Sequence, residues 1–208
     1  MTAGLLVPAR EGESEYTEKR SRFLGHIWPA RSEAEARALL EKTRRLHFEA
    51  RHNCWAWRFA DGSVRASDDG EPQGTAGQPI LNVLARQDVR DVFCVVTRYF
   101  GGTLLGTGGL VRAYTQAAAD ALAAAGTTRL VRWSVLSVPC PYALLERVKL
   151  ELQKLDGLVE DADYGALVTL RAALPEAAEA EFLTRLRELS AGGIEPARLE
   201  TGLRPAPI

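Results

Sequence analysis

The stretch that decides the fold of the first half of the chain is Arg98-Tyr99-Phe100-Gly101-Gly102-Thr103-Leu104-Leu105-Gly106-Thr107-Gly108-Gly109-Leu110-Val111-Arg112-Ala113-Tyr114. Five glycines fall here between an apolar run that predicts a strand at 92–99 and a helical pattern over 110–125. Such a junction can turn backbone N–H groups and a helix N-terminus toward an anion. The predicted anion-binding residues are Arg98, Gly101, Gly102, Gly106, Thr107, Gly108, Gly109 and Arg112.

A glycine-rich bend also has a purely structural explanation. Glycines permit positive φ and let a strand pack closely on a helix, so the same residues can serve the fold alone. The spacing excludes two familiar nucleotide-binding motifs. No Gly-Lys-Ser/Thr follows the bend, as a Walker A loop requires, and the glycine spacing differs from that of a Rossmann fingerprint. The sequence leaves both the anion-binding and the architectural interpretation open.

The segments around the bend predict an α+β domain. Strand patterns occupy 16–28, 52–59, 64–67 and 92–99. The last of these is almost continuously apolar, which predicts a central strand that is buried on both faces. Ser32 and Glu35 have the spacing of a capping box and predict the start of a helix between the first two patterns. A second, short helix is predicted to follow Pro79.

A domain boundary is predicted near Gly126, so that the chain divides into residues 1–126 and 127–208. The second part shows strand, helix, strand, strand, helix and strand patterns, which is the ferredoxin-like βαββαβ arrangement. These patterns lie at 130–138, 141–155, 158–163, 166–174, from Pro175 onward and at 194–199. Residues 1–10 and 201–208 are expected to be loosely held tails.

The composition is typical of a globular protein and excludes a strongly basic one. Hydrophobic residues make up 46% and charged residues 25% of the chain, and the formal net charge is −1. This charge argues against a strongly basic nucleic-acid binder but permits a local basic patch. Three cysteines without CxxC spacing indicate reduced, buried thiols. We expect a cytoplasmic protein without a signal peptide, a membrane partner or a cofactor.

A carboxylate-rich segment, Ser67-Asp68-Asp69-Gly70-Glu71-Pro72, precedes Gly74 and Thr75. Its three carboxylates are weak candidates for holding Mg²⁺ or for acid–base chemistry. The alternative, which the irregular spacing favours, is a turn whose Asp side chains cap backbone N–H groups. Gly74 and Thr75 open a helix and predict a second anion site. The weak metal candidates are therefore Asp68, Asp69 and Glu71.

Basic residues beside aromatic ones form a third pattern. Arg22 precedes Phe23, and Arg51 with His52 precedes a strand that contains tryptophans, as on the mixed surfaces of RNA-binding proteins. We predict RNA contacts from Arg22, Arg51 and His52. The alternative is an ordinary charged surface, because acidic residues are interleaved throughout the chain. Cys54 lies two residues from His52, but its aromatic surroundings predict a buried, inert thiol rather than a nucleophile.

Several of these segments, in this order, resemble the IMPACT/YigZ family. The matching segments are Ser21-Arg22-Phe23, Ala50-Arg51-His52-Asn53-Cys54, residues 67–72, Gly74-Thr75-Ala76-Gly77 and residues 98–114. The resemblance covers the first domain thoroughly and the second with weaker motifs. It implies that residues 1–126 adopt the β-α-β superfold of RNase PH, GHMP kinases and domain IV of elongation factor G, with a left-handed crossover. It also implies a ferredoxin-like second domain similar to those of elongation factor G.

The resemblance implies a translation-linked role. Eukaryotic members regulate translation by competing for the activator of the amino-acid-starvation kinase, and they carry an extra N-terminal domain that we expect this chain to lack. We therefore predict a non-catalytic protein that binds RNA or the ribosome. One alternative is a Mg²⁺-dependent enzyme acting on a phosphorylated or nucleotide ligand. Another is a protein-binding module that acts through the second domain.

Overall fold

The structure, a computed structural model, describes residues 4–207 and forms two compact units. The first unit spans Leu5–Thr128, and the second begins at Arg129. Both contain strands and helices, which confirms the predicted α+β class. The strands are β1 (Leu5–Pro8), β2 (Gly12–Glu18), β3 (Ser21–Pro29), β4 (His52–Arg58), β5 (Val64–Ser67), β6 (Val92–Tyr99), β7 (Thr127–Cys140), β8 (Leu158–Tyr164), β9 (Val168–Pro175) and β10 (Ala197–Pro205). The α-helices are α1 (Glu33–Leu46), α2 (Gly77–Arg86), α3 (Gly106–Ala125), α4 (Leu145–Gln153) and α5 (Glu179–Ser190).

The sheet of the first unit has the strand order β2–β3–β6–β4–β5, and every neighbouring pair is antiparallel. Strand β6 is central, and residues 92–96 are fully buried, which confirms the prediction of a strand covered on both faces. Helices α2 and α3 pack on one face, against Phe23 and Ile27. Helix α1 packs on the other face, against Trp28 and Phe93. The sheet therefore lies between two apolar layers.

The second unit contains the predicted succession of strands and helices. Its strands have the order β10–β7–β9–β8, again with antiparallel neighbours. Helices α4 and α5 share one hydrophobic cluster with the sheet, in which Val148 and Phe182 meet Leu136 and Leu170. Within residues 4–207, no helix has both the length and the hydrophobicity that crossing a membrane needs.

Two predictions of the element boundaries were wrong. Helix α3 begins at Gly106 and not at residue 110, because an exposed first turn rich in glycine carries no apolar periodicity. The chain ends were expected to be loose, but β1 is a strand and β10 pairs with β7 as far as Pro205. Nearly all residues of β10 are exposed, so its order comes from backbone pairing rather than from buried side chains. Residues 1–3 and 208 of the expected tails lie outside the described range.

Candidate functional site

The strand register brings the predicted site residues to one end of the first sheet. Arg22 on β3 pairs with Tyr99 on β6, and His52 on β4 pairs with Arg98 on β6. The glycine bend follows directly from β6, so it emerges at the same end. We call this end the bend surface. It comprises residues 19–22, 51–52 and 99–109 and Arg112.

Gly101 fixes the bend against the turn between β2 and β3. A Cβ at Gly101 would lie 2.0 Å from the carbonyl carbon of Arg20, so no side chain fits there. The Gly101 N–H also donates to the Ser21 Oγ at 3.1 Å. The turn residues Lys19 and Arg20 both have positive φ, as in the tight turns that join twisted strands. The turn that touches the bend therefore carries two exposed cationic side chains, Lys19 and Arg20.

The N-terminus of α3 has no side-chain cap, unlike the other two helices of this unit. In α1, the Ser32 Oγ accepts from the Glu35 N–H, as predicted, although the Glu35 carboxylate accepts from the Arg31 N–H. In α2, the Asp68 carboxylate accepts from the first N–H groups. Helix α3 has Leu105 at its N-cap, and its first residues, 106–108, are exposed. Within residues 4–207, no side chain accepts from their N–H groups, which leaves donors for an external acceptor.

Arg112 lies over this uncapped turn. A Cβ at Gly108 would lie 3.6 Å from the Arg112 Nη1, so the guanidinium reaches back along the helix toward its start. No carboxylate of residues 4–207 forms an ion pair with Arg112. Arg112 and Glu18 both line a cavity of about 320 Å³. The Glu18 Oε2 accepts a hydrogen bond from the Tyr16 hydroxyl. A cation at the positive end of a helix dipole is unfavourable, so this turn attracts an anion.

Arg98 was predicted to contact an anion, but the structure places its charge inside the protein. Its side chain is only 8% exposed, and its Nη1 donates to the Glu71 Oε1 at 2.7 Å. The Tyr114 hydroxyl donates to the same oxygen at 2.8 Å. The guanidinium carbon also lies 5.5 Å from the ring centroid of Phe23 and 5.6 Å from that of Phe100. Arg98 therefore positions the bend from within rather than reaching an external ligand.

Asp68 fills the second predicted anion site with its own carboxylate. Its Oδ2 accepts from the Gly74 N–H at 2.8 Å, and its Oδ1 accepts from Ala76 at 3.0 Å and Gly77 at 2.8 Å. Burial alone would raise the pKa of Asp68, but the three backbone donors outweigh it and lower that pKa. The Thr75 Oγ1 donates to the Pro72 carbonyl at 2.6 Å. This segment therefore caps α2 internally.

The other two carboxylates of the segment also have protein partners. Asp69 accepts from Arg44 at 2.9 Å and from the Asn53 N–H at 2.7 Å. Glu71 accepts from Arg98 and Tyr114, as described above. In the described part of the chain, no group of three or more His, Cys, Asp or Glu side chains is arranged to hold a metal ion. The geometry favours the structural interpretation of the segment over Mg²⁺ chemistry.

Cys54 and His52 are held by the same segment. The Cys54 thiol is buried, as predicted, and donates to the Asp68 carbonyl at 3.0 Å. Burial raises the pKa of Cys54 far above its ordinary value, so it is no nucleophile. The His52 Nδ1 lies 2.9 Å from the Asp69 carbonyl oxygen, and the ring is half-buried.

The two predicted arginine contacts differ in their surroundings. Arg22 is exposed, but its Nε donates to Glu15 at 2.7 Å, and its guanidinium carbon lies 5.9 Å from the Tyr99 ring centroid. Arg51 is also exposed, and none of residues 4–207 supplies it with an acidic partner. Of the two, Arg51 is the better available cation.

Four further residues of the bend surface were not among the predicted site residues, although Lys19 and Arg20 belong to a basic run that continues to Arg22. Lys19 and Arg20 are exposed, and Phe100 and Leu104 expose 57% and 82% of their surfaces. The contact that joins Gly101 to Arg20 spans most of the first unit, so no local spacing reveals it. The available signal was the pair of large apolar residues within an otherwise glycine-rich loop.

Known protein families and relatives match most of the chain. The family model described as "Impact N-terminal domain" matches residues 19–122, and one described as "Domain of unknown function (DUF1949)" matches residues 138–192. The IMPACT family member YigZ of Escherichia coli (strain K12) is 39% identical over 199 residues, covering 94% of this chain and 98% of the relative. The IMPACT family member YvyE of Bacillus subtilis (strain 168) is 34% identical over 183 residues, covering 87% and 84%.

A solved structure is similar over nearly the full length. It is described as "Crystal structure of an hypothetical protein", is 37% identical and has a TM-score of 0.61. The match covers 96% of this chain and 99% of that one.

Proposed function

Because the chain belongs to the IMPACT family, we propose that it is a translation-linked, non-catalytic protein that binds RNA or the ribosome through the bend surface. One observation carries the proposal. Residues 106–108 at the N-terminus of α3 are exposed, and no side chain of residues 4–207 accepts from their N–H groups. Arg112 lies over this turn without an acidic partner in the same range. Phosphate groups satisfy both the donors and the charge.

The neighbouring cations support a polyanion rather than a single phosphate. Arg20 adjoins the bend at Gly101, and Lys19 precedes it in the same turn. Arg51 directly precedes β4, at the same end of the sheet. A net charge of −1 for the whole chain is compatible with this patch, because binding responds to the local field. Arg98 has a positioning role in the proposal and is not a contact.

We extend the proposal to the two fold families. For residues 1–126 we propose the superfold of RNase PH, GHMP kinases and domain IV of elongation factor G. For residues 127–208 we propose a ferredoxin-like domain similar to those of elongation factor G, which the strand order β10–β7–β9–β8 supports. Kinship with a translation factor supports the function by analogy. The proposed location is the cytoplasm.

The test is binding of the purified protein to RNA and to ribosomes across a salt series. We expect the logarithm of the binding constant to fall linearly with the logarithm of salt concentration, by about 0.7 per phosphate contact on single strands. Reversal of two bend-surface charges, Arg20→Glu with Arg112→Glu, should weaken binding strongly and flatten this slope.

The matched control is Arg86→Glu. Arg86 is exposed in the last turn of α2, without an ion pair in the described range. Arg86→Glu therefore makes the same charge change as Arg112→Glu alone, outside the bend surface, and these two single variants are compared directly. We expect the control to bind nearly as the unaltered protein does. Binding that ignores salt, or that is reduced equally by the control, would overturn the proposal.

A further inference from the structure

Phe100 is the outermost layer of a stack that is anchored in the core. Its ring centroid lies 5.6 Å from the Arg98 guanidinium carbon, which in turn lies 5.5 Å from the ring of the fully buried Phe23. Glu71 fixes the Arg98 guanidinium from the side at 2.7 Å. Phe100 is therefore an aromatic residue on a rigid support, although 57% of its surface is exposed.

The free part of Phe100 has no aromatic partner in the protein. In the described part of the chain, no other aromatic ring stacks on Phe100, and Arg98 is its one cation–π contact. Leu104, on the same loop, is 82% exposed. Two large apolar side chains thus stand in water beside the uncapped α3 N-terminus and Arg112.

Exposed apolar side chains beside cations and N–H donors suit single-stranded RNA better than double-stranded RNA. A double-stranded RNA is recognised mainly through its phosphates and 2′-hydroxyls, for which the cations and N–H donors suffice. Unpaired bases instead require an exposed aromatic face on which to stack, close to groups that hold the backbone. Phe100 supplies such a face, and its support by Arg98 reduces the entropy that a mobile ring would lose on binding.

We infer that the bend surface binds single-stranded RNA, with one base stacked on Phe100 beside Leu104 and the adjoining phosphates at the α3 N-terminus and Arg112. This inference rests on the proposed function and names its ligand. A protein partner would also cover Phe100, but the cations without acidic partners in residues 4–207 and the free N–H donors favour a polyanion.

The experiment compares fluorescence anisotropy titrations with a single-stranded 12-nucleotide RNA and with a 12-base-pair duplex RNA at the same salt concentration. We expect tighter binding of the single strand. Phe100→Ala should weaken single-strand binding about fivefold or more, the range for loss of one base–aromatic stack, and leave duplex binding nearly unchanged. Phe100→Trp should retain or strengthen single-strand binding.

Two further variants separate stacking from other causes. Phe100→Leu keeps an apolar side chain without a π face, and it replaces the alanine variant if that one loses its fold in a thermal melt. Its single-strand binding should fall as well, whereas simple apolar contact would preserve it. Tyr164→Ala removes an aromatic side chain that is 61% exposed on the second unit and should change nothing.

Each outcome decides one of the two claims. If single strand and duplex bind equally, and Phe100→Ala and Phe100→Leu leave single-strand binding intact, the inference is overturned while the proposed function stands. If neither RNA binds at low salt, the inference is overturned, and the proposed function is overturned with it only when the ribosome also fails to bind. A single-strand preference that is lost in Phe100→Ala and kept in Phe100→Trp supports the inference.

Discussion

Glu71 and Arg98 form a buried ion pair, in which the Glu71 Oε1 lies 2.7 Å from the Arg98 Nη1 and the side chains are only 3% and 8% exposed. The pair joins the carboxylate-rich segment to the C-terminal end of β6, just before the glycine bend. Tyr114 of α3 donates to the same carboxylate oxygen, so strand, segment and helix meet at one atom.

Removing one partner of this pair should destabilise the protein strongly. Glu71→Ala leaves the buried Arg98 charge uncompensated, and we expect the free energy of unfolding to fall by about 3–5 kcal/mol. Urea denaturation followed by circular dichroism measures the loss. The control is the double variant Glu71→Leu with Arg98→Met, which removes both charges and should lose much less. A single variant that is no less stable than the double variant would contradict the assigned role.

Arg112 should be destabilising in the free protein and favourable in the complex. Arg112→Gln removes a cation from the positive end of α3, so we expect it to raise the free energy of unfolding by about 0.3 kcal/mol, since the side chain is exposed. RNA binding should weaken in the same variant. Arg86→Gln removes a cation from the C-terminus of α2 and should have the opposite sign. The two variants are compared by urea denaturation at low ionic strength, and equal signs would contradict the argument.

Acid should destabilise the first unit through His26 and His47. Their ring centroids lie 5.8 Å apart, and the His47 Nδ1 lies 2.9 Å from the Tyr99 hydroxyl. Burial lowers the pKa of both histidines. The neighbouring His47 also lowers the pKa of His26. The exposed Glu13, whose Oε1 lies 3.5 Å from the His26 Nδ1, raises both pKa values but does not outweigh burial. Because the unfolded chain then binds protons more readily, stability is full above about pH 6.5 and falls as the pH drops below it.

The measurement for this prediction is the urea midpoint at pH 7.5 and at pH 5.5. Most carboxylates titrate below this window, so the loss within it reports on the histidines. His26→Gln with His47→Gln should show a smaller loss between the two pH values than the unaltered protein. An equal loss in both proteins would count against the histidines as its cause.

Gly101 and Gly108 should respond to alanine in opposite directions. At Gly101 the new methyl group would collide with the main chain of Arg20, so we expect a loss of about 1–3 kcal/mol or more in the free energy of unfolding. At Gly108 nothing lies closer than 3.6 Å, and alanine in a helix should gain about 0.4–1 kcal/mol. Thermal and urea denaturation compare the two variants. Equal effects would show that the bend does not press on the turn between β2 and β3.

The sequence predicted the central strand β6 but not the buried position of Arg98. The apolar run at 92–99 predicted the central strand because burial on both faces leaves a continuous signal. The inward position of Arg98 depends on Glu71, which lies in a loop with no periodic pattern, so no spacing rule joins the two residues. The last strand was predicted at 194–199 but lies at Ala197–Pro205, and its bounds were misplaced because its nearly all exposed residues do not alternate. The convergence of Arg22, His52 and the bend required the strand register.

The three cysteines, all buried, allow the rate of local opening to be measured separately in the two units. Cys54 and Cys94 lie in the first unit and Cys140 in the second. A buried thiol reacts with an alkylating reagent only when its surroundings open, so modification rates read by mass spectrometry give opening rates for each unit without any label. Comparing the modification rates with and without RNA thus shows whether bound RNA slows the opening of the first unit alone or of both units.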